Sequence, residues 1–433
     1  MTQDRRFIPV KYEQPSRWYQ DPLLWPLLAL TVSVKIAAIW SAATVFNHSA
    51  WLAHICADIA GWTDFLSKSQ QGLIPYVQMT KEYPVGGGLL YWVMSRFLPA
   101  HYSFNQLLLV HATFMGVADV VNTAIFYSIT KRLNARRAGW VTLVFILTPT
   151  AVILSPVRFE SYVILTVLIG YYFHLTNRPG WAVFFWSLGW SLKWFPIFFI
   201  AAQEVQALFL QKRKAQWLKS AGIFLSVTCV LNLPFILWSY QMLGNANNWL
   251  ATYLFHLRRP LYWDTLLGIG TLWFGNLRWE SYASYWSAFL VLAVLFYRPR
   301  IRLEYKAVLI CAAVLLLNRI YSPQFHLWFY PFLFFALCLE SDRQMRILLS
   351  VFAILEALNV LVYPFLFTYA LSELKHFAPL AARLRGGVET VLFTLAILLR
   401  AVALFVLAWL MALGADRKPA GQTERATIPA AAS

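Results

Sequence analysis

Apolar runs near the length that an α-helix needs to cross a bilayer, about 20 residues, recur along this chain. In lipid an unsatisfied backbone amide or carbonyl is costly, so only helices and closed β-barrels span membranes. The alternating segments of about ten residues that mark a barrel are absent from the sequence. The sequence therefore predicts an all-α, polytopic membrane protein with about 10–12 transmembrane helices.

Charged residues make up only 13% of the 433 residues, against about 25% in a soluble domain. The formal net charge is nevertheless +17, and the basic residues fall in short clusters between apolar runs, such as residues 131–137, 211–219 and 298–306. This pattern is typical of cytoplasmic loops and argues against a groove for nucleic acid. We therefore expect membrane lipids, and no nucleic acid, among the partners.

Assigning the basic clusters to the cytoplasm gives one membrane domain, residues 23–413, between a basic tail at 1–22 and a polar tail at 414–433. Two apolar runs are not expected to be single spans. Residues 88–98 are too few, and a Lys-Trp-Phe-Pro stretch divides 181–209 into two short arms, because proline breaks a helix. Both termini are then expected on the cytoplasmic side of a plasma membrane.

Four polar segments fall on the outer face in this topology. Two are long, residues 47–88 and 239–264, and two are short, residues 155–160 and 318–326. Separated segments that meet at one membrane surface can together build a site. The sequence therefore predicts an extracytoplasmic active site.

The first outer loop carries the candidate catalytic residue, Asp64, with aromatic neighbours at Trp62 and Phe65. These neighbours supply partial desolvation and a stacking surface for a sugar. A carboxylate there is suited to act as a general base toward an acceptor hydroxyl. Asp58 is the alternative base, and a solvated carboxylate or helix cap is the alternative role for Asp64.

Glu82 and Tyr83 belong to a Glu-Tyr-Pro turn that precedes three glycines, residues 86–88. Glycine permits tight backbone geometry and also lets a bulky lipid or sugar approach the backbone. We expect Glu82 and Tyr83 to contact substrate. A turn that merely begins a helix is the simpler interpretation.

Arg158 and Glu160 lie between two apolar runs, where ionisable side chains are costly and usually paired. They form either a structural pair or, through Arg158, a clamp for a lipid phosphate. Lys193 lies within an apolar run, so it requires a carboxylate partner or an anionic ligand.

Two later outer segments complete the candidate substrate-binding residues, with His256, Arg259 and Asp264 in one and Arg319 and Gln324 in the other. Outward cations oppose the charge bias of this chain. They either contact anionic lipid head groups or surround an anionic substrate. Their clustering favours a phosphate or pyrophosphate.

No metal and no cofactor is predicted. The four cysteines are scattered, without the spacing of a zinc site or a disulfide framework. The phosphate-binding loop, the dinucleotide fingerprint and the hydrolase motifs are absent. A lipid-linked sugar donor requires no nucleotide site, so glycosyl transfer remains compatible with these absences.

The order of the motifs resembles a known family. After an outer-loop aspartate come GLIPY and EYP within 72–84, RFE at 158–160, SLKWFP at 191–196, HLRRPLYWD at 256–264 and SPQFHLW at 322–328. This order, over residues 55–330, resembles the polyprenol-phosphate-mannose-dependent α-mannosyltransferases of the GT-C superfamily. Relatives of the mycobacterial phosphatidylinositol-mannoside mannosyltransferase belong to that group.

The resemblance implies a GT-C-like fold and a sugar donor linked to polyprenyl phosphate in the outer leaflet. The family's base, its RFD arginine and its KxxP lysine would correspond to Asp64, Arg158 and Lys193. Three positions depart from the family pattern, namely Glu160 for an aspartate, Val85 for a second proline and Asp264 for a glutamate. These departures indicate a divergent member and bear on the sugar more than on the reaction.

We therefore predict an inverting hexosyltransferase, with mannose as the expected sugar, acting on a glycolipid or glycan acceptor at the outer face. Asp64 is the expected base, and the cations would hold the leaving phosphate. A transporter or flippase of a lipid-linked or anionic substrate is the alternative. Internal repeats and a polar site at the midplane would favour it, but no repeat is obvious in the sequence.

Overall fold

The computed structural model describes residues 18–46, 53–210, 214–259, 261–262, 264–274, 280–297, 301–366 and 388–415. These residues are helical almost throughout and contain no β-strand, only an isolated bridge between Pro75 and Met79. The prediction of an all-α, polytopic membrane protein is confirmed. Most of both predicted tails (1–17 and 416–433), the start of the first outer segment (47–52), residues 260 and 263 of the second long one, and residues 367–387 lie outside the described residues.

The α-helices are numbered in chain order. They are α1 Leu24–Ser41, α2 Ala57–Ala60, α3 Thr63–Gln70, α4 Val85–Ser95, α5 Phe104–Leu133, α6 Ala138–Leu147, α7 Pro149–Ile153, α8 Glu160–Leu175, α9 Pro179–Leu192, α10 Ile197–Leu210, α11 Lys214–Leu243, α12 Asn247–Arg258, α13 Leu266–Phe274, α14 Glu280–Phe296, α15 Leu303–Leu317, α16 Tyr330–Leu339, α17 Asp342–Val360 and α18 Val388–Gly414.

Within the described residues, five helices are long and apolar enough to cross a membrane, and the bent pair α6 and α7 makes a sixth if counted as one span. The five segments are Leu24–Val45, Phe104–Leu133, Lys214–Leu243, Asp342–Tyr363 and Val391–Gly414. This number is below the 10–12 helices expected from the apolar runs, because several runs form shorter helices. The helix α4, for example, has 11 residues and a length of about 16 Å, too short for a bilayer core of about 30 Å.

The run 181–209 is divided as the sequence predicted. The helix α9 ends at Leu192, α10 begins at Ile197, and Lys193 between them has an extended backbone. Pro196 lies in this break, where the missing amide hydrogen costs nothing. Lys193 therefore lies between two helices and belongs to neither.

The second long outer segment is more helical than expected. The helix α11 continues to Leu243, and α12 occupies Asn247–Arg258, so little of residues 239–264 is loop. The first outer segment likewise contains α2 and α3. Short helices therefore present many of the polar residues that the sequence suggested for loops.

One end of the bundle gathers basic residues from several helices. The Arg137 guanidinium donates hydrogen bonds to the carbonyl of Leu337 at 2.9 Å and to the carboxylate of Asp342. At the same end, Lys131 pairs with Asp21. Because α17 begins at Asp342, its other end, near Tyr363, lies far from these charges. The polar segment that carries Arg158 lies at that far end, where Arg158 contacts Tyr363.

A third ion pair lies inside the bundle. The Lys35 ammonium of α1 is 2.9 Å from the Asp119 carboxylate of α5, and both contact the Ser155 hydroxyl at 2.5 Å. Lys35 also donates to the carbonyl of Ala151 at 2.8 Å. Partners of this kind are required for ionisable residues at membrane depth. The pair joins α1 and α5 to the segment that leads to Arg158.

Candidate functional site

The end of the bundle opposite the basic cluster contains a pocket of about 420 Å³, which we call the main pocket. Five separate chain segments line it. The lining includes Asp58, Glu82, Tyr83, Lys193, Trp194, Phe198, His256, Arg259, Val314, Arg319, Gln324 and Trp328. Seven of the sequence-predicted site residues are among them. The fold thus brings together most of the predicted site.

Asp58 lies on one wall, against the buried guanidinium of Arg158. The distance from Arg158 Nη1 to Asp58 Oδ1 is 2.5 Å, and Arg158 Nη2 donates to the Tyr363 hydroxyl. The Gln324 amide nitrogen donates to the other Asp58 oxygen at 3.3 Å. The Asp58 side chain remains 39% exposed because it faces the pocket. Three distant segments therefore orient one carboxylate toward open space.

The surroundings of Asp58 favour its ionised form. Partial burial opposes ionisation, but the charge and hydrogen bond of Arg158, with the charges of Lys193 and Arg259, lower the pKa of Asp58 below 3.8 overall. The carboxylate is therefore ionised throughout the physiological pH range. It is in the form that can accept a proton.

Local sequence explains the placement of Arg158. A short 3₁₀-helix, Ser155–Val157, contains Pro156, and Arg158 follows it in an extended conformation before α8 begins at Glu160. This turn directs Arg158 and Glu160 into the interior at the bundle end, where both are buried. A continuous helix would have placed them on a different path.

Lys193 and Glu160 form a buried ion pair. The ammonium nitrogen also lies over three aromatic rings. Its distance to the ring centre is 5.6 Å for Tyr83, 5.1 Å for Phe325 and 5.6 Å for Trp328. The sequence required a carboxylate or an anion for Lys193, and the fold supplies a carboxylate. The Glu160 carboxylate thus balances the charge of Lys193 within the protein.

Arg259 and Arg319 add two guanidinium groups to the lining of the main pocket. Arg319 Nη1 donates to the carbonyl of Arg259 at 2.8 Å, which holds the two segments together. Arg259 Nη2 donates to the Tyr262 hydroxyl at 3.4 Å, and no described carboxylate is within ion-pair distance of Arg259. With Lys193, three cations line the main pocket against two carboxylates, Asp58 and Glu82. An anionic ligand would complement this excess.

Several buried polar atoms of this site have no hydrogen-bond partner among the described residues. They are the indole nitrogen of Trp194, the side-chain oxygen of Gln324 and one carboxylate oxygen of Glu160. Buried polar groups in proteins are nearly always hydrogen-bonded, so each requires an explanation. Trp194 and Gln324 line the main pocket through other atoms of their side chains or backbone, because these two atoms themselves are buried.

The Glu-Tyr-Pro turn is held from two sides. The Tyr76 hydroxyl donates toward the carbonyls of Tyr83 and Pro84 at 2.8 and 2.9 Å and accepts from the Gly88 amide at 3.0 Å. His256 contacts the carbonyl of Glu82 at 2.6 Å through Nε2, which assigns the proton to that nitrogen. Burial lowers the pKa of His256 below 6.5, so the ring is neutral at pH 7.

The glycines after this turn face protein and not substrate. A Cβ on Gly86 would lie 2.8 Å from the backbone oxygen of Ser191, and one on Gly88 would lie 2.3 Å from the Tyr76 hydroxyl. The expectation that these two glycines admit a lipid or sugar is therefore wrong. Gly86 lets α4 approach α9 closely, which brings the turn next to Lys193, and Gly88 makes room for the Tyr76 ring.

The structure does not bring Asp64 into the main pocket. Its side chain is 77% exposed and pairs with Lys68, one turn along α3, at 2.8 Å. It lines a separate pocket of about 270 Å³, the side pocket, together with Lys81, Glu82 and Thr252. Of the two aspartates that the sequence left open as candidates, Asp58 lines the main pocket and Asp64 does not.

Asp264 also lies outside the lining of the main pocket. It is buried near Arg400, whose guanidinium donates to the Asp264 carbonyl at 2.5 Å. Burial raises the pKa of Asp264 to about 6, although the charge of Arg400 opposes this shift. This hydrogen bond connects α18 to the segment after α12. Asp264 therefore stabilises the packing around the main pocket without lining it.

Sequence reasoning did not select Trp194, Tyr363 or Arg400. Trp194 carries a signal, because it follows Lys193 directly in the predicted helix break. Arg400 carries the same signal as Lys193, a cation within an apolar run, and was overlooked, whereas Tyr363 carries none because it reaches the site only through the fold. Within the described residues, no group of three or more His, Cys, Asp or Glu is placed to hold a metal ion.

A comparison of the chain with known protein families finds no matching family model, and a comparison with curated proteins finds no match. The resemblance to the mannosyltransferases therefore stays a prediction that rests on the motifs.

Proposed function

We propose that this chain is an inverting membrane glycosyltransferase that moves a hexose, mannose first among the candidates, from a polyprenyl-phosphate donor to an acceptor hydroxyl. The observation that carries the proposal is Asp58. It is an ionised carboxylate, held in place by Arg158, Tyr363 and Gln324, and it faces a pocket with an excess of cations.

The donor phosphate would bind between Arg259 and Arg319. A guanidinium matches phosphate oxygens in shape and charge, and Arg259 has no described carboxylate partner. The apolar part of the lining, which includes Phe198, Val314 and Trp328, would contact the first units of the polyprenyl chain. One pocket can thus accommodate both ends of an amphipathic donor.

The reaction is a displacement at the anomeric carbon. The acceptor hydroxyl gives its proton to Asp58 while its oxygen forms the new glycosidic bond. The bond between the anomeric carbon and the phosphate oxygen breaks, and its electron pair leaves on polyprenyl phosphate. Arg259, Arg319 and Lys193 stabilise the charge that develops on this leaving group. Since the leaving group is a phosphate monoester, no acid catalyst is required.

The roles of two predicted residues change in this proposal. Arg158, predicted to clamp phosphate, acts as a positioning residue for Asp58. Asp64, predicted as the base, is replaced by Asp58 because its exposed side chain lies in the side pocket. The site would face the exterior or periplasm of a plasma membrane, since it lies at the end of the bundle opposite the basic residues.

The deciding experiment compares Asp58→Asn with Asp64→Asn in vesicles that contain purified protein, radiolabelled polyprenyl-phosphate mannose and a membrane lipid extract as acceptor. Loss of a general base lowers a rate by about 10²–10⁴-fold, which we expect for kcat of Asp58→Asn. Asp64→Asn should leave kcat nearly unchanged, because that side chain lies outside the main pocket. Asp342→Asn is the matched control, because that exposed aspartate lies at the opposite end of the bundle.

Full transfer by folded Asp58→Asn protein would contradict the assignment of the base. Absence of transfer by the unmodified protein from mannosyl, glucosyl and N-acetylhexosaminyl donors alike would contradict the proposed function.

A further inference from the structure

We propose that a groove between α9 and α11 binds one anionic phospholipid of the cytoplasmic leaflet, with the lipid phosphate at Lys219. This lipid groove has a volume of about 590 Å³ and is lined by residues of α11 from Lys219 to Leu231 and by Phe184 and Leu188 of α9. None of its lining residues lines the main pocket, so the lipid site is separate from the proposed glycosyl transfer and does not depend on it.

The shape of the lipid groove matches one acyl chain. Its α11 lining recurs every three or four residues, which places these side chains in one stripe along the helix. At 1.5 Å per residue, the stripe from Lys219 to Leu231 is about 18 Å long. One leaflet contributes about 15 Å to the hydrocarbon core. Gly222 leaves the groove open, because a Cβ there would meet nothing within 4 Å.

The lipid groove is charged at one end only. Apart from Lys219 and Ser226 its lining is apolar, and no carboxylate is among the described lining residues. A Cβ on Gly180 would lie 3.9 Å from the Lys219 ammonium nitrogen, so this cation lies against the first turn of α9. The positive end of the α9 dipole is there, and the exposed Arg178 directly precedes the helix. A phosphate would complement these three positive features.

The charged end lies at the end of the bundle that the basic residues assign to the cytoplasm. Arg132, next to Lys131 of the basic cluster, donates to the Tyr172 hydroxyl at 3.0 Å, and Tyr172 is in the last turn before α9. Trp181 and Trp217, beside the charged end on the two helices, are 54% and 44% exposed. Exposed tryptophans are typical of the membrane–water interface, so Lys219 lies at the level of the lipid head groups.

Charge also favours a lipid over a protein partner. Gly222 and Ser226 are four residues apart, a spacing that suits close contact with a helix of a second copy of this chain. An apolar helix brings no anion to Lys219. An anionic phospholipid supplies both a phosphate at the charged end and a chain along the apolar stripe, and the cytoplasmic leaflet is the one rich in such lipids.

The test counts the lipids that the purified full chain retains in native mass spectrometry, with phosphatidylglycerol and phosphatidylcholine of identical acyl chains as probes. The unmodified protein should retain one phosphatidylglycerol in preference to phosphatidylcholine. Lys219→Gln should weaken retention of phosphatidylglycerol about fivefold, the effect of one cation near the surface, and leave phosphatidylcholine unchanged. Lys214→Gln is the matched control, an exposed lysine of the same helix that does not line the groove.

A second variant tests the groove and not the charge. In Gly222→Leu the new side chain occupies the open space, so retention of both lipids should be lost. Gly270→Leu is its control, because a Cβ at Gly270 also meets nothing within 4 Å and Gly270 does not line the groove.

Three outcomes would overturn the lipid site. The first is equal retention of the two lipids by the unmodified protein, and the second is an equal effect of Lys219→Gln and Lys214→Gln. The third is a mass of two chains that Gly222→Leu reduces to one, which would make this face a contact between copies. Sugar transfer is not part of the measurement, so its presence or absence leaves each result valid.

Discussion

Asp58 and Asp64 belong to the same outer segment, yet they lie in different chemical surroundings. Asp58 contacts a buried arginine and faces a cation-rich pocket, whereas Asp64 pairs with Lys68 on the surface and lines a pocket with an acidic excess. The difference arises from neighbours that are remote in sequence. It teaches that position in an outer loop does not determine which carboxylate can act as a base.

Among changes to the neighbours of the two aspartates, the largest effect is expected from Arg158→Gln. Without the guanidinium, Asp58 loses its orientation, and misplacement of a reacting group by about 1 Å can cost 10²-fold in rate. We expect kcat for transfer to fall by at least this factor. Tyr363→Phe removes only one bond to Arg158, so its loss should stay within about tenfold.

Arg158→Gln should also change the pH dependence. The pKa of Asp58 is lowered in the folded protein, so protonation of Asp58 does not reduce transfer between pH 8 and pH 5. Without the opposing charge of Arg158, burial raises this pKa, and kcat should fall as the pH drops through the new value. Arg158→Lys retains the charge and serves as the conservative variant. Superimposable pH profiles would show that Arg158 does not control Asp58.

An intermediate effect is expected from Gly86→Ala, which perturbs the scaffold of the main pocket. The new methyl group would lie 2.8 Å from the backbone oxygen of Ser191, so α4 and α9 must separate. Overpacking of this kind costs about 1–3 kcal/mol, and a lower melting temperature should accompany a lower kcat. Gly222→Ala is the control, because a Cβ at Gly222 meets nothing within 4 Å. Equal melting temperatures for the two variants would contradict this account.

The smallest effect is expected from Lys68→Ala. Its ion pair with Asp64 is exposed, and exposed pairs between neighbouring helix turns contribute only about 0.3–0.5 kcal/mol. The melting temperature should change little, and kcat should stay within about twofold, because Lys68 lines neither pocket. A large loss of kcat would place the chemistry at Asp64 and reverse the comparison.

Much of the site was accessible to sequence reasoning because its residues violate local expectation. Lys193 stands out in an apolar run, Arg158 and Glu160 interrupt another, and Arg259 and Arg319 oppose the charge bias of the chain. Such residues are costly in a membrane unless they have partners. The sequence identified the costly residues, but it could not assign Glu160 to Lys193 or Asp58 to Arg158.

The sequence by itself determined the all-α membrane class and the break at Lys193. Both follow from local physics, since a helix in lipid satisfies its own backbone and a proline interrupts it. Tertiary structure alone decided that Asp58, and not Asp64, faces the main pocket, because this depends on how Arg158, Tyr363 and Gln324 converge from three segments. Helix packing, and not helix formation, determines which of these separate segments meet.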